Sequence, residues 1–296
     1  MSAAADQRLL GRAARIATVL GKYGFNETRH DSDPPEARTR RLRQALEELG
    51  PTFAKLGQIL STRPDLIPPE AVAELAALQD QVTPLDEHDV VIVMEQELGV
   101  PWEDVFASIE AEPLAAGTIG QVHRAVLDNG ERVVVKVQRP TAENDIMRDL
   151  SLLELFAQKT ANRQALRKIV DLSAAIEHLS ESLRRELDFQ LEAQNVERLR
   201  AALGAFPRLG APRVYDELST SRLLVLEEIE GVAVREIPDG PARTESARQL
   251  LECYYHQILV EGFFHADPHP GNMLWWNERI YFLDFGMVGE LSPEMR

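Results

Sequence analysis

The residues best suited to chemistry lie between His265 and Gly286. Asp267 is followed five positions later by Asn272, and Asp284 stands seventeen positions after Asp267, leading into Phe285-Gly286. An acid, an amide and a second acid in this order are what phosphoryl transfer requires. One carboxylate faces the attacking hydroxyl, while an amide oxygen and the other carboxylate hold a metal on the phosphates. Asp267 fits the first role, Asn272 and Asp284 the second. A zinc pair is the rival reading, because His265 and His269 are four apart, but Pro268 and Pro270 forbid a regular helix across them. Trp275, Trp276 and Ile280 to Leu283 read as two short strands around Asn277-Glu278, so a loop, a hairpin and a metal-binding acid form one unit.

Other stretches must position that unit. From Glu112 the pattern takes a strand period, and a small-residue loop over Ala115, Ala116, Gly117 and Thr118 feeds a strand through Val126. Asp128-Asn129-Gly130 is a tight hairpin turn, and Arg132 to Val137 is the return strand. This is the front of a nucleotide-binding sheet. Lys136 interrupts a run of valines, where an unpaired ammonium is costly, so it needs anionic partners such as a phosphate and a helix carboxylate.

From Ile146 to about Leu203 the chain reads as helix in three pieces, the last over Arg185 to Leu199 with Glu186, Asp188 and Glu192. Asp188 and Glu192 are one turn apart and should share a face, although such a charge run is ordinarily a solvated surface. Pro212 to Tyr215 begins a strand. Ser221 to Gly231 forms another that runs into Glu227, Glu228 and Ile229, as a strand feeding a hinge would, with backbone groups there for an adenine. Thr244 to Glu261 reads as one apolar helix entering the acidic loop.

The first hundred residues carry no strand signal. Residues 7 to 25 form an amphipathic helix that lies on its own domain or, alternatively, on a membrane surface or a partner. Asn26 to Glu36 reads as a linker. Helices follow over Arg38 to Leu49, from Pro51 to Arg63-Pro64, from Pro68-Pro69 to Leu78, and from Asp86 to Gly99, whose apolar face is Val90, Val91, Val93, Met94 and Leu98.

The net charge of −16 on 296 residues argues against a nucleic-acid partner, which needs a basic face. Residues 1 to 50 are an exception at net +2. The single cysteine, Cys253, allows no internal disulfide, fits a reducing compartment and reads as a small core side chain. No apolar stretch approaches the roughly 20 residues of a membrane span, and the charged N-terminus is unlike a secretory signal. The expected location is cytoplasmic, with peripheral membrane contact as the alternative.

Over roughly residues 45 to 296 these motifs resemble one family, the ABC1/UbiB (ADCK, AarF) atypical kinases, which share the protein-kinase-like fold. Lys55-Leu56-Gly57-Gln58 matches its KxGQ motif, Ala115 to Gln121 its alanine-rich loop and Lys136 its strand lysine. Glu186-Leu187-Asp188 matches the ExD motif, Glu192 the helix glutamate that partners the lysine, and Asp267, Asn272 and Asp284 the catalytic acid and metal ligands. The resemblance implies ATP or ADP and Mg2+ as cofactors and a role in isoprenoid quinone biosynthesis, beside a membrane surface or a lipid-synthesis complex. It also implies that the KxGQ helix covers the pocket where a protein kinase receives its peptide, with Lys55 paired to Glu186.

Two departures stand out. The family's Ala-Ala-Ala-Ser reads Ala115-Ala116-Gly117-Thr118, and glycine lets backbone approach phosphates more freely, which leaves the choice between ATP and ADP open. The sequence also stops ten residues after Gly286, so a truncated C-lobe is expected, and with it either association as a homodimer or a missing covering segment.

The expected fold class is therefore α+β, a two-lobed protein-kinase-like fold with a helical N-terminal extension. Its segments are an N-terminal helix and linker (1 to 37), a KxGQ extension (38 to 110), an N-lobe with inserted helices (111 to 230) and a partial C-lobe (231 to 296). Two rivals use the same pocket: a small-molecule kinase of the aminoglycoside or choline kinase type, which should lack a KxGQ helix, and an adaptor that binds nucleotide without turnover.

Overall fold

The computed structural model describes residues 3–24, 34–61, 67, 69–78, 84–160 and 172–295. Residues 26 to 33 of the linker expected over Asn26 to Glu36, the Arg63-Pro64 stop, Pro68 and the helical stretch at 161 to 171 lie outside them, while Pro35 and Glu36 begin a helix rather than end a linker. The described helices are α1 Ala3–Lys22, α2 Pro35–Leu49, α3 Pro51–Ser61, α4 Pro69–Ala76, α5 Glu87–Leu98, α6 Ala142–Thr160, α7 Leu172–Glu186, α8 Phe189–Leu203 and α9 Pro241–His256. Four of them start on proline, whose fixed φ and missing N–H suit the first helical position. The strands are β1 Phe106–Ile109, β2 Ala115–Ala116, β3 Gly120–Leu127, β4 Arg132–Gln138, β5 Leu209–Gly210, β6 Leu223–Glu227, β7 Val232–Ala233, β8 Phe263–His265, β9 Met273–Trp276, β10 Arg279–Phe282 and β11 Val288–Glu290.

The chain divides into two compact units, one made of Met1–Pro84, Ala116–Ile119 and Pro140–Arg184, the other of Leu85–Ala115, Gly120–Arg139 and Arg185–Arg296. In the first unit α2, α3 and α4 pack closely around Gly57. A Cβ there would sit 2.2 Å from Leu78 Cδ1 and 2.9 Å from Leu46 Cδ1, so the glycine of the KxGQ motif is what lets these helices approach. Helix α1 is anchored by Arg12, whose Nε donates to Asp149 Oδ1 at 2.7 Å and whose terminal nitrogen donates to Asp149 Oδ2 at 2.6 Å and to the Leu49 carbonyl at 2.7 Å. Of the two readings of this helix, the structure shows the one packed on its own unit.

In the second unit β1, β3, β4 and β6 form an antiparallel sheet in that order. Alternation along β4 sends Val133, Val135 and Val137 to one face, where they are fully buried with Leu223, Val225 and Phe106. Helix α5 covers that face with Val90, Val93 and Met94. Although α5 falls within the 38 to 110 segment by sequence, its contacts place it with the sheet.

A second sheet, ordered β5-β10-β9-β7, contains the expected hairpin. Asn277 and Glu278 take φ of 48° and 60°, the left-handed pair that a two-residue hairpin turn demands. Strand β8 pairs with β11, Val288 opposite His265.

Three local expectations are corrected. The helix expected over Arg185 to Leu199 is broken, because Asp188 is the N-cap of α8 and its side chain accepts the Gln190 N–H at 3.0 Å. Asp188 therefore shares no helical face with Glu192. Only Val214 of the Pro212 to Tyr215 stretch pairs, as an isolated bridge to Leu226. The helix ahead of the acidic loop starts at Pro241 and passes into a π turn over Gln257–Glu261, closed by Gly262 in the left-handed conformation.

Candidate functional site

The open face of the first sheet and the hairpin of the second border a cavity of about 800 Å³ within the second unit. Lys136 reaches it from β4 and Glu192 from α8, and Lys136 Nζ donates to Glu192 Oε2 at 2.6 Å. The Glu192 side chain is 8% exposed and that of Lys136 28%, so the pair is largely removed from water. The Phe189 ring lies 4.9 Å from the Lys136 ammonium and adds a cation–π contact.

Burial pulls the Lys136 ammonium down, but the carboxylates of Glu192 and Asp284 outweigh it and hold the pKa above the usual lysine value. Burial pushes Glu192 up, and Asp284 adds to this against the pull of Lys136. One cation thus faces two carboxylates, an anionic surplus that favours a bound cation.

The acidic loop folds as one hydrogen-bonded unit. Asn272 Nδ2 donates to Asp267 Oδ2 at 2.7 Å, which fixes the orientation of the amide and of its acceptor oxygen Oδ1. Asp284 Oδ1 accepts the Gly286 N–H at 2.9 Å, and the Leu283 N–H donates to the Asn272 carbonyl at 2.9 Å. Asn272 and Asp284 line the cavity with Lys136 and Glu192, and Asp267 is joined to them through Asn272. Among the described residues no three His, Cys, Asp or Glu side chains gather into a metal cage. An amide oxygen and one carboxylate suit Mg2+, a hard ion that takes one or two protein carboxylates together with substrate phosphates.

His265, read from the sequence only as half of a zinc pair, is the brace of this loop. Its Nδ1 accepts the Asp267 N–H at 3.2 Å, so in the neutral ring the proton is on Nε2, which donates to the Asp284 carbonyl at 2.5 Å. Burial lowers its pKa against the opposing effect of Asp284, which keeps the ring neutral. The imidazole packs 5.3 Å from Phe282 and 5.8 Å from Phe285. The signal for this role was the histidine two residues before an acid, on a strand rather than a helix. His269 Nδ1 instead accepts the Gly271 N–H at 3.1 Å. Asn195, also missed, donates to the Phe285 carbonyl at 3.1 Å and ties α8 to the backbone just after the second acid.

The remaining expected residues divide. Ala115, Glu227, Glu228 and Ile229 line the cavity. The Glu227 N–H donates to the Arg213 carbonyl at 2.9 Å and the Glu228 N–H to the Arg132 carbonyl at 3.1 Å, so those two amides are spent and Ile229 holds the next donor. Ala116, Gly117 and Thr118 belong to the helical unit, as do Lys55 and Gln58. Gln58 Nε2 donates to the Leu78 carbonyl at 3.3 Å. Glu186 is the last residue of α7, ahead of the Asp188 cap. Cys253 is the buried core side chain expected of it, its thiol pushed up to about 11 by burial.

A family model described as the ABC1 atypical kinase-like domain matches residues 77–296. A chloroplastic Arabidopsis thaliana protein, named as an uncharacterized aarF domain-containing protein kinase, is 39% identical over 97% of this chain and 42% of its own length. An Azotobacter vinelandii protein named as a probable protein kinase UbiB is 37% identical over 98% of this chain and 55% of its own. The chain spans about half the length of these relatives. The solved structure of Rv3197 from Mycobacterium tuberculosis in complex with erythromycin is 30% identical, with a TM-score of 0.59 over 86% of this chain and 65% of that one.

Proposed function

We propose, for a chain that belongs to the ABC1 atypical kinase-like family, that the cavity of the second unit binds ATP or ADP with Mg2+. The reaction is then ATP hydrolysis, or slow phosphoryl transfer to a small or lipid-related acceptor. Lys136 would hold the α- and β-phosphates, with Glu192 orienting its ammonium. Asn272 and Asp284 would hold Mg2+, which when bound neutralises charge on the phosphates.

Asp267 would take the proton from the attacking water or hydroxyl as its oxygen bonds to the γ-phosphorus and the bridging oxygen departs with ADP. The hydrogen bond from Asn272 fixes the orientation of that carboxylate. A role in isoprenoid quinone biosynthesis belongs to the same proposal, as do a membrane-peripheral location and contact with a lipid-synthesis complex.

The observation that carries this reading is the Lys136–Glu192 pair at 2.6 Å on the cavity that Asn272 and Asp284 also line. Asp284→Asn removes the charged metal ligand and keeps the side-chain shape. Thermal stabilisation by Mg-ATP, clear in the unaltered protein, should vanish in the variant. Full stabilisation in Asp284→Asn overturns the assignment.

A further inference from the structure

We propose that Glu228, clamped between Arg124 and Arg132, is a positioning residue that fixes the peptide edge at Ile229 and thereby selects an adenine-type base over a guanine-type one. This deepens the preceding reading and rests on the cavity being a nucleotide site.

Along β4 the cavity receives Arg132, Val134 and Lys136, so its roof is apolar in the middle and cationic at both ends. Lys136 marks the phosphate end. The opposite end is closed by the carboxylate of Glu228, whose Oε1 accepts from Arg124 Nε at 2.8 Å and whose Oε2 accepts from Arg132 Nε at 2.9 Å. The Glu228 side chain is 8% exposed, so both of its oxygens are committed in a largely dry setting where paired charges hold their geometry. Arg132 is held in turn by Glu230 at 2.6 Å, and Arg124 approaches Glu110 at 3.4 Å.

The clamp grips the segment that follows β6. Glu228 is tied to β4 through its side chain and also through its own N–H on the Arg132 carbonyl at 3.1 Å. The next amide, Ile229, has no partner among the described residues, while its carbonyl accepts the Gly231 N–H at 2.9 Å. Val134 and Leu283 line the same cavity, and a base seated between them would meet this edge.

Adenine offers an amino donor beside a ring-nitrogen acceptor, which fits the Glu227 carbonyl and the Ile229 N–H. Guanine offers an acceptor beside an N–H donor and would set like against like. Such a mismatch is costly only where the edge cannot slide to a new register, and rigidity is what the two arginines supply. A merely structural role for Glu228 would weaken both nucleotides alike. Positioning changes their ratio.

The test is calorimetric titration of the full chain with Mg-ATP and Mg-GTP. The unaltered protein should prefer Mg-ATP. Glu228→Ala should cut the ratio of affinities about tenfold, and Glu228→Gln, which keeps a planar acceptor, should recover part of it. Should Glu228→Ala fail to fold, Arg124→Gln removes half of the clamp at a side chain 41% exposed, and the ratio must fall there too. Selectivity unchanged in the variants, or absent from the unaltered protein although it binds both nucleotides, overturns the clamp and leaves the nucleotide reading standing. An unaltered protein that binds neither nucleotide overturns both.

Discussion

The Lys136–Glu192 pair combines two costs that a surface ion pair avoids: desolvation of both ions, and a stranded charge if either partner is lost. Lys136→Met leaves Glu192 in a site where it is 8% exposed. Because Lys136 keeps some contact with water, the expected loss is about 2–3 kcal/mol, below the ~3–5 kcal/mol of fully buried pairs. Lys136→Met/Glu192→Leu should regain most of that stability in urea unfolding while binding no Mg-ATP. A double variant no more stable than the single one would show that no stranded charge was involved. The lysine was legible because an ammonium in a valine strand demands an anion, but its partner 56 positions away was visible only through a family motif. His265 shows the opposite limit. Its tautomer and its role depend on the Asp284 carbonyl 19 positions away, a backbone atom that no pattern of residue types can display.

At the level of elements, strands and helices with their own punctuation were readable. Asn277-Glu278 set the hairpin, Gly50 ended α2 and Asp86 capped α5, its side chain accepting the Asp89 N–H at 2.9 Å. Where a residue serves two periods, the reading failed: Asp188 fits a helical charge pattern, yet capping satisfies an N–H that would otherwise be orphaned. Helix α1 fitted more than one surface, since the arginine that packs it on its own unit looks like any other until Asp149 is found beside it. Arg12→Ala would leave a carboxylate that is 5% exposed with only the longer contact to Arg148 at 4.0 Å and would take the guanidinium donor from the Leu49 carbonyl, so the helical unit should lose about 3 kcal/mol. Arg12→Lys should recover only part, because one ammonium cannot serve both Asp149 oxygens and a carbonyl from a planar fork. Urea denaturation followed by circular dichroism reads both, and an Arg12→Ala protein as stable as the original would mean that α1 is held by its apolar contacts alone.

For the molecule as a whole, the division into units was hidden because it does not follow the chain: Ala116–Ile119 leaves the strands on either side to join the helices, while α5 joins the sheet. Charge, by contrast, could be read from the start and now bears on the site. The chain carries −16, and the cavity lining holds Lys136, Arg124 and Arg132 against Glu110, Glu192, Glu227, Glu228, Glu230 and Asp284. A bare triphosphate entering such a cavity meets more repulsion than attraction. One unit charge uncompensated at roughly 5 Å in an effective dielectric of about 20 amounts to about 3 kcal/mol, more than a hundredfold in affinity. Chelation of Mg2+ by EDTA should therefore weaken ATP binding by that order. The residual binding should tighten as NaCl is raised, because salt screens repulsion. A cavity governed by its cations would behave in the opposite way, losing affinity with salt and little with EDTA. Isothermal titration at two salt concentrations, with and without EDTA, separates the two, and the second pattern would remove Asn272 and Asp284 from any role in holding a metal.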